Sequence, residues 1–406
     1  MADKASVVRY ARRGEAQIAY RVVGSGPPLV ALGGTMSGIA LAELPMAAPW
    51  MERLVRFSKV VLIDPRGTGS SDPLDVVPTL DDQAADVLAV LDDAGIEAAF
   101  VHGHHAGVGA AIALAVSAPE RVLGLVLVNG WARLIADEDC PWGLSEELSD
   151  RLIDAHRETF GTGMFVAAFS PSRAHDADLK EQFIELERRG SSRAQSVLLT
   201  TMAQQYDIRE RLPRVQVPTV VMHSRENTAI PVDHARYLAA RISDATLVEF
   251  DGTDHAFMFE NPEPVLIEIE ALVTGIRPLP EPHRVFGAIV FTDLVGSTAR
   301  AALLGDRVWR NVLERHDANG AVALGVRLDL SVRVGVHAGE VDERDDDLAG
   351  VAVNLSARLV AVAGPGEVIV SATVRDIVSG ASFEFRDRGT HSLKGFTEPR
   401  HVYELI

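Results

Sequence analysis

Three short segments carry residue types that can do chemistry at spacings that suit it. In the first, GHHAG at residues 103–107, an apolar strand runs into a tight turn and then into an alanine-rich helix. Glycines two residues either side of a central position, in this strand–turn–helix setting, normally present a serine nucleophile. The central residue here is His105, whose imidazole has no hydroxyl to acylate. The other segments carry Asp293 at the end of an apolar strand, and Asn354 with Arg358 four residues apart.

The elements around the first segment alternate between short apolar strands and amphipathic helices. Runs such as PPLVALGG, SKVVLIDPRG and VPTVVMHS are rich in Val, Leu and Ile and end in small or polar residues. Continuous apolar strands separated by helices predict an α/β fold with a buried, mostly parallel sheet between two helical layers. The stretch from about 140 to 210 is polar and helical. We expect it to cap the carboxyl edge of the sheet.

Residues 7–275 resemble the α/β-hydrolase family at several separate places. The matching segments follow predicted strands and are LGG (32–34), DPRGTGSSD (64–72), MHSRENTAIP (222–231) and GTDHAF (252–257). The resemblance implies an α/β-hydrolase domain over residues 1–276, with the cap inserted at about 140–210. It also assigns the backbone N–H groups of Gly33 and Gly34 to a remnant of the oxyanion hole.

Two of the three positions of a hydrolase triad are occupied by unexpected residues. The resemblance places His105 at the nucleophile, Asn227 at the acid and His255 at the base. An amide cannot supply the negative charge that stabilises an imidazolium, and the same Asp-to-Asn change lowers the rate of a serine protease about 10⁴-fold. Glu226 could swing in as the acid, and Asn129 follows another strand where an acid sometimes lies, but neither restores a nucleophile.

Three interpretations of this site stay open. His105 could act as an unusual nucleophile, or a metal could bind a histidine cluster made of His102, His104, His105 and His255. Strand alternation should point His102 and His104 away from His105, and no carboxylate or thiolate spacing accompanies them. We therefore favour a retained pocket without hydrolytic chemistry, which either binds a small apolar molecule or is simply packed. A sensor role is inferred from the domain arrangement alone.

A second α/β pattern follows a proline-rich stretch, IRPLPEPHR, which predicts a semi-rigid linker over residues 277–284. The predicted strands are AIVFTD within the segment FGAIVFTDLVGST, then DLSVRVGVHAGEV, GEVIVSATV and RHVYELI, and the predicted helices are RVWRNVLERHDA and AVNLSARLVAVA.

This second part resembles the class III nucleotidyl cyclases, the adenylyl and guanylyl cyclases. The matching segments run from residue 286 to the C-terminus and include FTDLVGST, RVGVHAGEV, DLAGVAVNLSARLVAVAGPGEVIVS and DRGTHSLKGFTEPRHVYEL. The resemblance implies an α+β, ferredoxin-like cyclase domain over residues 285–406, shortened internally, that converts ATP into cAMP and pyrophosphate. A bacterial family joins such a domain to an α/β-hydrolase-like half, and the whole chain is similar to that fusion.

The resemblance assigns the metal and the phosphates to the segment FTDLVGST. Asp293 matches the first of two aspartates that hold Mg²⁺ or Mn²⁺, hard cations that prefer carboxylate oxygen. The backbone N–H groups that open the following helix suit phosphate oxygens, and they belong to Val295, Gly296, Ser297 and Thr298.

The resemblance assigns the nucleoside and the transition state to a later helix. Asn354 would orient the ribose, and Arg358, four residues on along the same helix face, would stabilise charge on the phosphate. Asp347 matches the position that accepts a hydrogen bond from the adenine amino group, which favours ATP over GTP. Lys394 is a weaker candidate for a contact with the triphosphate.

One departure from the family matters more than these matches. After ERHDANG (314–320), the chain lacks the block that would carry the second metal-binding aspartate. Asp329 is the nearby carboxylate, in a strand context that does not suit the role. In the family, one protomer supplies the metal carboxylates and its partner supplies the Asn/Arg pair. We therefore expect a homodimer to have little or no activity, and a heterodimer with an intact cyclase chain to form one complete site.

Composition limits the remaining possibilities. The formal charge of −18 argues against nucleic acid as a partner, because phosphate repulsion is not offset. The single cysteine, Cys140, fits a reducing compartment. The sequence has no secretory signal and no apolar run that could cross a bilayer, so we expect a cytoplasmic protein.

Overall fold

A computed structural model describes residues 7–278, 283–294, 331–344 and 347–406. The chain divides into two compact units, Met1–Pro280 and Glu281–Ile406. Among the described residues, no helix is long and apolar enough to span a membrane.

The first unit is built on an eight-stranded sheet in the order β1-β2-β4-β3-β5-β6-β7-β8. The strands are β1 (Arg9–Arg13), β2 (Ala16–Gly24), β3 (Pro28–Leu32), β4 (Lys59–Ile63), β5 (Ala99–His104), β6 (Val122–Val128), β7 (Thr219–Ser224) and β8 (Thr246–Phe250). Strands β3 to β8 are mutually parallel, and β2 pairs antiparallel with both β1 and β4. The apolar runs named in the sequence analysis belong to this parallel part, as β3, β4 and β7, and the predicted α/β fold class is confirmed.

Helices cover both faces of this sheet. They are α1 (Gly38–Ala42), α2 (Ala48–Phe57), α3 (Leu80–Asp93), α4 (Gly107–Ser117), α5 (Glu146–Thr159), α6 (Val166–Phe169), α7 (Ala177–Gly190), α8 (Arg193–Gln205), α9 (Asp233–Arg241) and α10 (Glu263–Thr274). One core cluster packs α3, α4 and α9 against one face, and a second packs α2 and α10 against the other. Burial on both faces explains why the parallel strands are continuously apolar.

Helices α5 to α8 lie within the stretch predicted as a cap. This segment is bonded to the loop after β4: the N–H of Gly69 donates to the carbonyl oxygen of Gly190 at 2.6 Å. Both groups of the Gln195 amide bond the backbone of Leu74, at 2.6 and 2.9 Å. The loop that carries the DPRGTGSSD sequence is therefore a docking site for the cap.

The second unit contains a sheet with the path β11-β10-β12-β14-β13, and β9 pairs antiparallel with β10. Its elements are β9 (His283–Leu294), β10 (Val332–Arg344), β11 (Asp347–Ala349), α11 (Val351–Val362), β12 (Val368–Ser371), α12 (Ala372–Ile377), β13 (Phe385–His391) and β14 (Arg400–Leu405). Strand β9 begins at His283, so the last two residues predicted as linker belong to the sheet. Strand β13 was not predicted.

Helix α11 packs closely on the strands of this second sheet. The Ser356 hydroxyl donates to the carbonyl oxygens of Ile289 at 2.7 Å and Gly335 at 3.1 Å. A Cβ on Gly335 would lie 2.5 Å from the backbone nitrogen of Val360, so only glycine permits this approach. These contacts fix which face of α11 is buried.

Candidate functional site

The turn between β5 and α4 has the backbone of a nucleophile elbow. His105 has a φ of +55°, a left-handed conformation that is uncommon for a residue other than glycine. A Cβ on Gly103 would lie 3.0 Å from the carbonyl oxygen of Gly107, and a Cβ on Gly107 would lie 2.1 Å from that of Leu32. The two glycines are therefore required by the close packing of strand and helix, whatever residue stands between them.

The structure brings together the three residues that the sequence assigned to a degenerate triad. The Nδ1 atom of His105 lies 2.9 Å from Nε2 of His255. The Nδ1 atom of His255 lies 3.2 Å from the amide nitrogen of Asn227. His255 and Asn227 are buried, and His105 is partly exposed. The spatial arrangement of a triad is thus retained with two of its residue types replaced.

Both imidazoles of this pair are neutral near physiological pH. Burial away from water lowers the pKa of His105 to about 3, and the neighbouring His104 ring contributes in the same direction. Burial, with the nearby histidines, lowers the pKa of His255 well below its ordinary value. No carboxylate contacts either ring among the hydrogen bonds of the described residues. The pair therefore has neither the hydroxyl nor the carboxylate on which serine hydrolysis depends.

Neither Glu226 nor Asn129, the two residues considered as substitutes for the acid, bonds the His255 ring. The Asn129 amide donates to the backbone oxygen of His255 at 2.8 Å, and its oxygen accepts from the Ser224 N–H at 3.0 Å. Glu226 is exposed, and its carboxylate accepts from the N–H of Gly252 at 3.2 Å. Asn129 thus positions the His255 backbone, and Glu226 supports a turn.

Two other buried carboxylates near the carboxyl edge of the sheet have structural partners. Asp64, in the DPRGTGSSD segment, accepts hydrogen bonds from the Ser37 hydroxyl and from the N–H of Ser70. Asp254 accepts from the Ser172 N–H at 2.9 Å and its hydroxyl at 2.8 Å, which ties the His255 loop to the cap. Burial raises the pKa of Asp254.

His104 lies against the His255 loop, although the sequence predicted that it points away from His105. Its ring centre lies 5.1 Å from that of His255, and its Nε2 lies 3.0 Å from the His255 backbone oxygen. His104 ends the strand, so a side chain on the face opposite the elbow still meets the loop that carries His255. His102 does lie apart, against the rings of Trp50 and Phe257. No group of three or more potential metal ligands occurs among the residues that the structure describes.

The oxyanion-hole remnant lies beside the elbow. Gly34 has a φ of +88°, and a Cβ built on it would lie 3.1 Å from the backbone nitrogen of Ala106, the first residue after His105. The absence of a side chain at Gly34 therefore leaves the space next to that nitrogen open. A Cβ on Gly33 would meet nothing within 4 Å. The Ala106 N–H donates to no acceptor within the described part of the chain.

Two aromatic residues complete the surroundings of His105, and sequence reasoning missed both. The Trp131 ring centre lies 4.8 Å from that of His105, and the Phe169 ring centre lies 5.7 Å away. Trp131 comes shortly after β6, at the same sheet edge as the elbow, which was the available sequence signal. Phe169 belongs to the cap, and nothing in its local sequence indicates that α6 folds over the site.

In the second unit, Asp293 lies near the end of β9 and opposite Arg333 of β10. The Arg333 guanidinium donates to one oxygen of the Asp293 carboxylate through Nε at 2.8 Å and also through a terminal nitrogen. No group of three or more potential metal ligands includes Asp293 among the described residues, and its printed ion pair is with Arg333. This donor set does not fit a pair of divalent cations. Asp329 lies outside the described residues.

Among the described residues, no hydrogen bond or ion pair joins Asp293 to Asn354, Arg358 or Lys394. Asn354 and Arg358 are exposed on α11, and Lys394 is exposed between β13 and β14. Asp347 begins β11, and only its backbone is described. The predicted phosphate-binding residues lie outside the described part of the chain; they are Val295, Gly296, Ser297 and Thr298.

The first unit has an α/β-hydrolase fold. It combines a parallel sheet that has an elbow after β5 with a capped carboxyl edge and a histidine that faces the elbow. Comparison with protein families agrees with this class. Residues 48–262 match the family model for the alpha/beta hydrolase fold, and the chain belongs to that family. Residues 306–406 match the model for the adenylate and guanylate cyclase catalytic domain, so the chain joins the two. The fusion predicted from the sequence is confirmed.

Similar proteins align with the first unit. "Putative carbamate hydrolase RutD" of Azorhizobium caulinodans is 31% identical over 260 residues, which span 63% of this chain and 94% of that protein. The karrikin insensitive 2 receptor CA of Petunia hybrida is 26% identical and aligns over 61% of this chain and 92% of its own length.

Solved structures similar to this chain include an esterase from Exiguobacterium antarcticum, with a TM-score of 0.60 and 20% identity. It aligns over 65% of this chain and 98% of its own length. An enol-lactonase from Burkholderia xenovorans aligns over 66% of this chain and its full length, with a TM-score of 0.56 and 21% identity. At these identities the likeness establishes the fold.

Proposed function

We propose that this chain is an adenylate cyclase-family signalling protein whose cyclase unit works only with a partner and whose first unit binds a ligand without hydrolysing it. The observation that carries the second half is the His105–His255–Asn227 arrangement. It keeps the distances of a triad and replaces the hydroxyl and the carboxylate on which acyl transfer depends. We infer that this arrangement serves ligand binding instead.

The exposure of Asn354 and Arg358 supports partner dependence of the cyclase unit. Ser356 lies between them in sequence and points into the sheet, so residues two positions away on either side of it face outward. Neither side chain makes a hydrogen bond or an ion pair with another described residue of this unit. An asparagine and an arginine held on an open helix face suit a site that a second protomer completes.

The metal half of the site supports an asymmetric pairing. Cyclase catalytic domains of this family generally use Mg²⁺ or Mn²⁺. Asp293 is already bound by Arg333, and the missing second aspartate leaves one carboxylate where the family uses two. We infer that the metal ions of the working site are held by the intact partner. This chain would contribute Asn354 and Arg358, with Asp347 for the adenine.

Measurement of cAMP production tests this proposal. The full-length chain is mixed in excess with a purified, intact class III cyclase homologue, with Mn²⁺ and ATP. We expect little cAMP from the chain alone and a clear gain over the homologue alone when both are present. Arg358→Ala should abolish the gain. Arg386→Ala is the matched control, since it removes another exposed arginine, from β13 on the far edge of the sheet. Absence of any gain from the unaltered chain would contradict partner dependence.

Two competing functions have their own readouts. A double pseudoenzyme with no cyclase role would bind nucleotide weakly or not at all and would leave the homologue's output unchanged. An esterase would hydrolyse p-nitrophenyl esters and lose that activity on His255→Ala. We expect the unaltered chain to hydrolyse such esters no faster than its His255→Ala variant.

A further inference from the structure

The hydrogen bonds around Asn227 determine which nitrogen carries the proton in the ring of His255 and, through it, in the ring of His105. The Asn227 side-chain oxygen accepts from the N–H groups of Ala229 at 3.0 Å and Ile230 at 3.1 Å. Because that oxygen faces two backbone donors, the amide NH₂ must face His255, and an NH₂ group can only donate. The Nδ1 atom of His255 therefore accepts, and the proton of this neutral ring lies on Nε2.

The same logic passes on to His105. The Nε2–H of His255 donates across 2.9 Å to Nδ1 of His105, so this second Nδ1 also accepts. The neutral His105 ring then carries its proton on Nε2. An aspartate at position 227 would accept from His255 and reverse the whole chain. The replacement of Asp by Asn has thus turned the proton-accepting end of a triad into a donor.

Among the residues that the structure describes, the Nε2–H of His105 is the one end of this network without a partner. His105 is partly exposed, and no acceptor bonds its Nε2 among the described residues. The adjacent Ala106 N–H is likewise free and lies at the start of α4, where the helix dipole favours negative charge. Two unpaired donors therefore lie on adjacent residues beside Gly34 in the described part of the chain, and the rings of Trp131 and Phe169 pack within 6 Å of the His105 ring.

We propose that the first unit binds the carboxylate of a small molecule with an apolar or aromatic body, through the His105 Nε2–H and the Ala106 N–H. This deepens the proposed ligand-binding function and rests on it. A carboxylate only accepts hydrogen bonds, so it suits a site that only donates. A primary ammonium group only donates and would leave both protein donors unpaired.

The proton positions can be measured without any ligand. Two-bond ¹H–¹⁵N correlation spectra of the full chain, labelled in its histidine rings, distinguish a protonated from an unprotonated ring nitrogen. Substitution of His105 and of His255 by Gln assigns the two rings. We expect a protonated Nε2 and an unprotonated Nδ1 in both rings. In Asn227→Asp, both rings should instead carry the proton on Nδ1 and leave Nε2 unprotonated. A protonated Nδ1 in His105 of the unaltered chain would overturn the proposal.

Binding is tested by titration calorimetry with phenylacetate, and with phenethylamine as the matched donor-only probe. We expect phenylacetate to bind at least about tenfold more tightly than phenethylamine. The affinity of the Asn227→Asp variant for phenylacetate should be roughly 10- to 100-fold lower, because one hydrogen bond to a charged group is lost. Thr228→Asp is the control, since Thr228 is exposed and the variant adds the same charge one residue away. It should change the affinity less than threefold.

The outcomes separate this proposal from the one on which it rests. If phenylacetate does not bind, or binds no better than phenethylamine, the carboxylate assignment is wrong even though the chain still fails to hydrolyse esters. If the unaltered chain hydrolyses p-nitrophenyl esters, the non-hydrolytic function itself is wrong. Equal weakening of phenylacetate binding by Thr228→Asp and Asn227→Asp would show a charge effect at a distance and would also overturn the proposal.

Discussion

Restoring the two missing triad residues should convert the first unit into an ester hydrolase. In His105→Ser/Asn227→Asp, the serine enters a turn whose flanking glycines already pack as an elbow requires. The new carboxylate can keep the hydrogen bonds from Ala229 and Ile230 through one oxygen and accept from His255 through the other. The Nε2 atom of His255 then faces the serine as a proton acceptor, which is the arrangement for general-base catalysis.

The structure sets the size of the expected activity. A serine Oγ is one bond nearer the backbone than the Nδ1 of His105, which now lies 2.9 Å from His255. The serine–histidine gap is therefore wider by up to about one bond length, roughly 1.4 Å. A misplacement near 1 Å lowers a rate about 10²-fold, so the double variant should hydrolyse the ester about 10²-fold more slowly than a native esterase. His105→Ser alone keeps the wrong tautomer and should be slower than the double variant by up to about 10⁴-fold, or about 5 kcal/mol in the barrier.

Hydrolysis of p-nitrophenyl acetate measures these rates, and a fluorophosphonate probe measures the reactive serine by the mass of the labelled protein. His255→Ala in the double-variant background is the control for background hydrolysis. We expect stoichiometric labelling of the double variant and slow labelling of His105→Ser. If the double variant is folded but hydrolyses the ester no faster than His105→Ser, the assigned roles of Asn227 and the proton direction are refuted.

Three further predictions concern stability and binding. The pKa of buried His102 is lowered to about 3, so its contribution to stability is complete above its unfolded value near 6.5 and is lost as pH falls below it. At about pH 5 the loss is ~2 kcal/mol, and His102→Phe should reduce the acid sensitivity of denaturant unfolding. Gly335→Ala should lower the free energy of unfolding of the second unit by about 1–3 kcal/mol, seen in its melting curve, because its Cβ would meet the α11 backbone. Gly34→Ala should abolish phenylacetate binding in the calorimeter, because its methyl group would fill the space beside the Ala106 nitrogen.

The sequence predicted the parallel sheet because those strands are buried on both faces and are therefore continuously apolar. Two of the strands it missed have a different character. Strands β1 (RYARR) and β13 (FRDRGTH) are short and rich in arginine, and most of their residues are partly or fully exposed. Such strands gain stability from pairing with a neighbour, and pairing is a long-range property that local composition does not carry.

The sequence predicted which residues of the first site lie together, and it did not predict the direction of the hydrogen bonds among them. His105, Asn227 and His255 follow strands whose carboxyl ends meet at one edge, so their proximity follows from the topology. The direction of the hydrogen-bond chain depends on where the backbone N–H groups of Ala229 and Ile230 point. No motif encodes that direction, because it is a property of the turn that the folded chain makes after β7.

The elbow presents no nucleophile, so the question is whether its strained backbone alone indicates a function. A left-handed φ at a residue other than glycine costs of the order of 1–3 kcal/mol and persists only where the surroundings impose it. Here Gly107 lies against the carbonyl oxygen of Leu32, so helix packing imposes the turn whether or not a nucleophile is presented. The strain at His105 is therefore no argument for catalysis. The argument for a ligand comes from the hydrogen bonds: Asn227 and His255 are satisfied, and in the described part of the chain the network ends on one unpaired donor, the Nε2–H of His105. A donor at the end of an otherwise satisfied chain is therefore the place where we propose that a ligand oxygen binds.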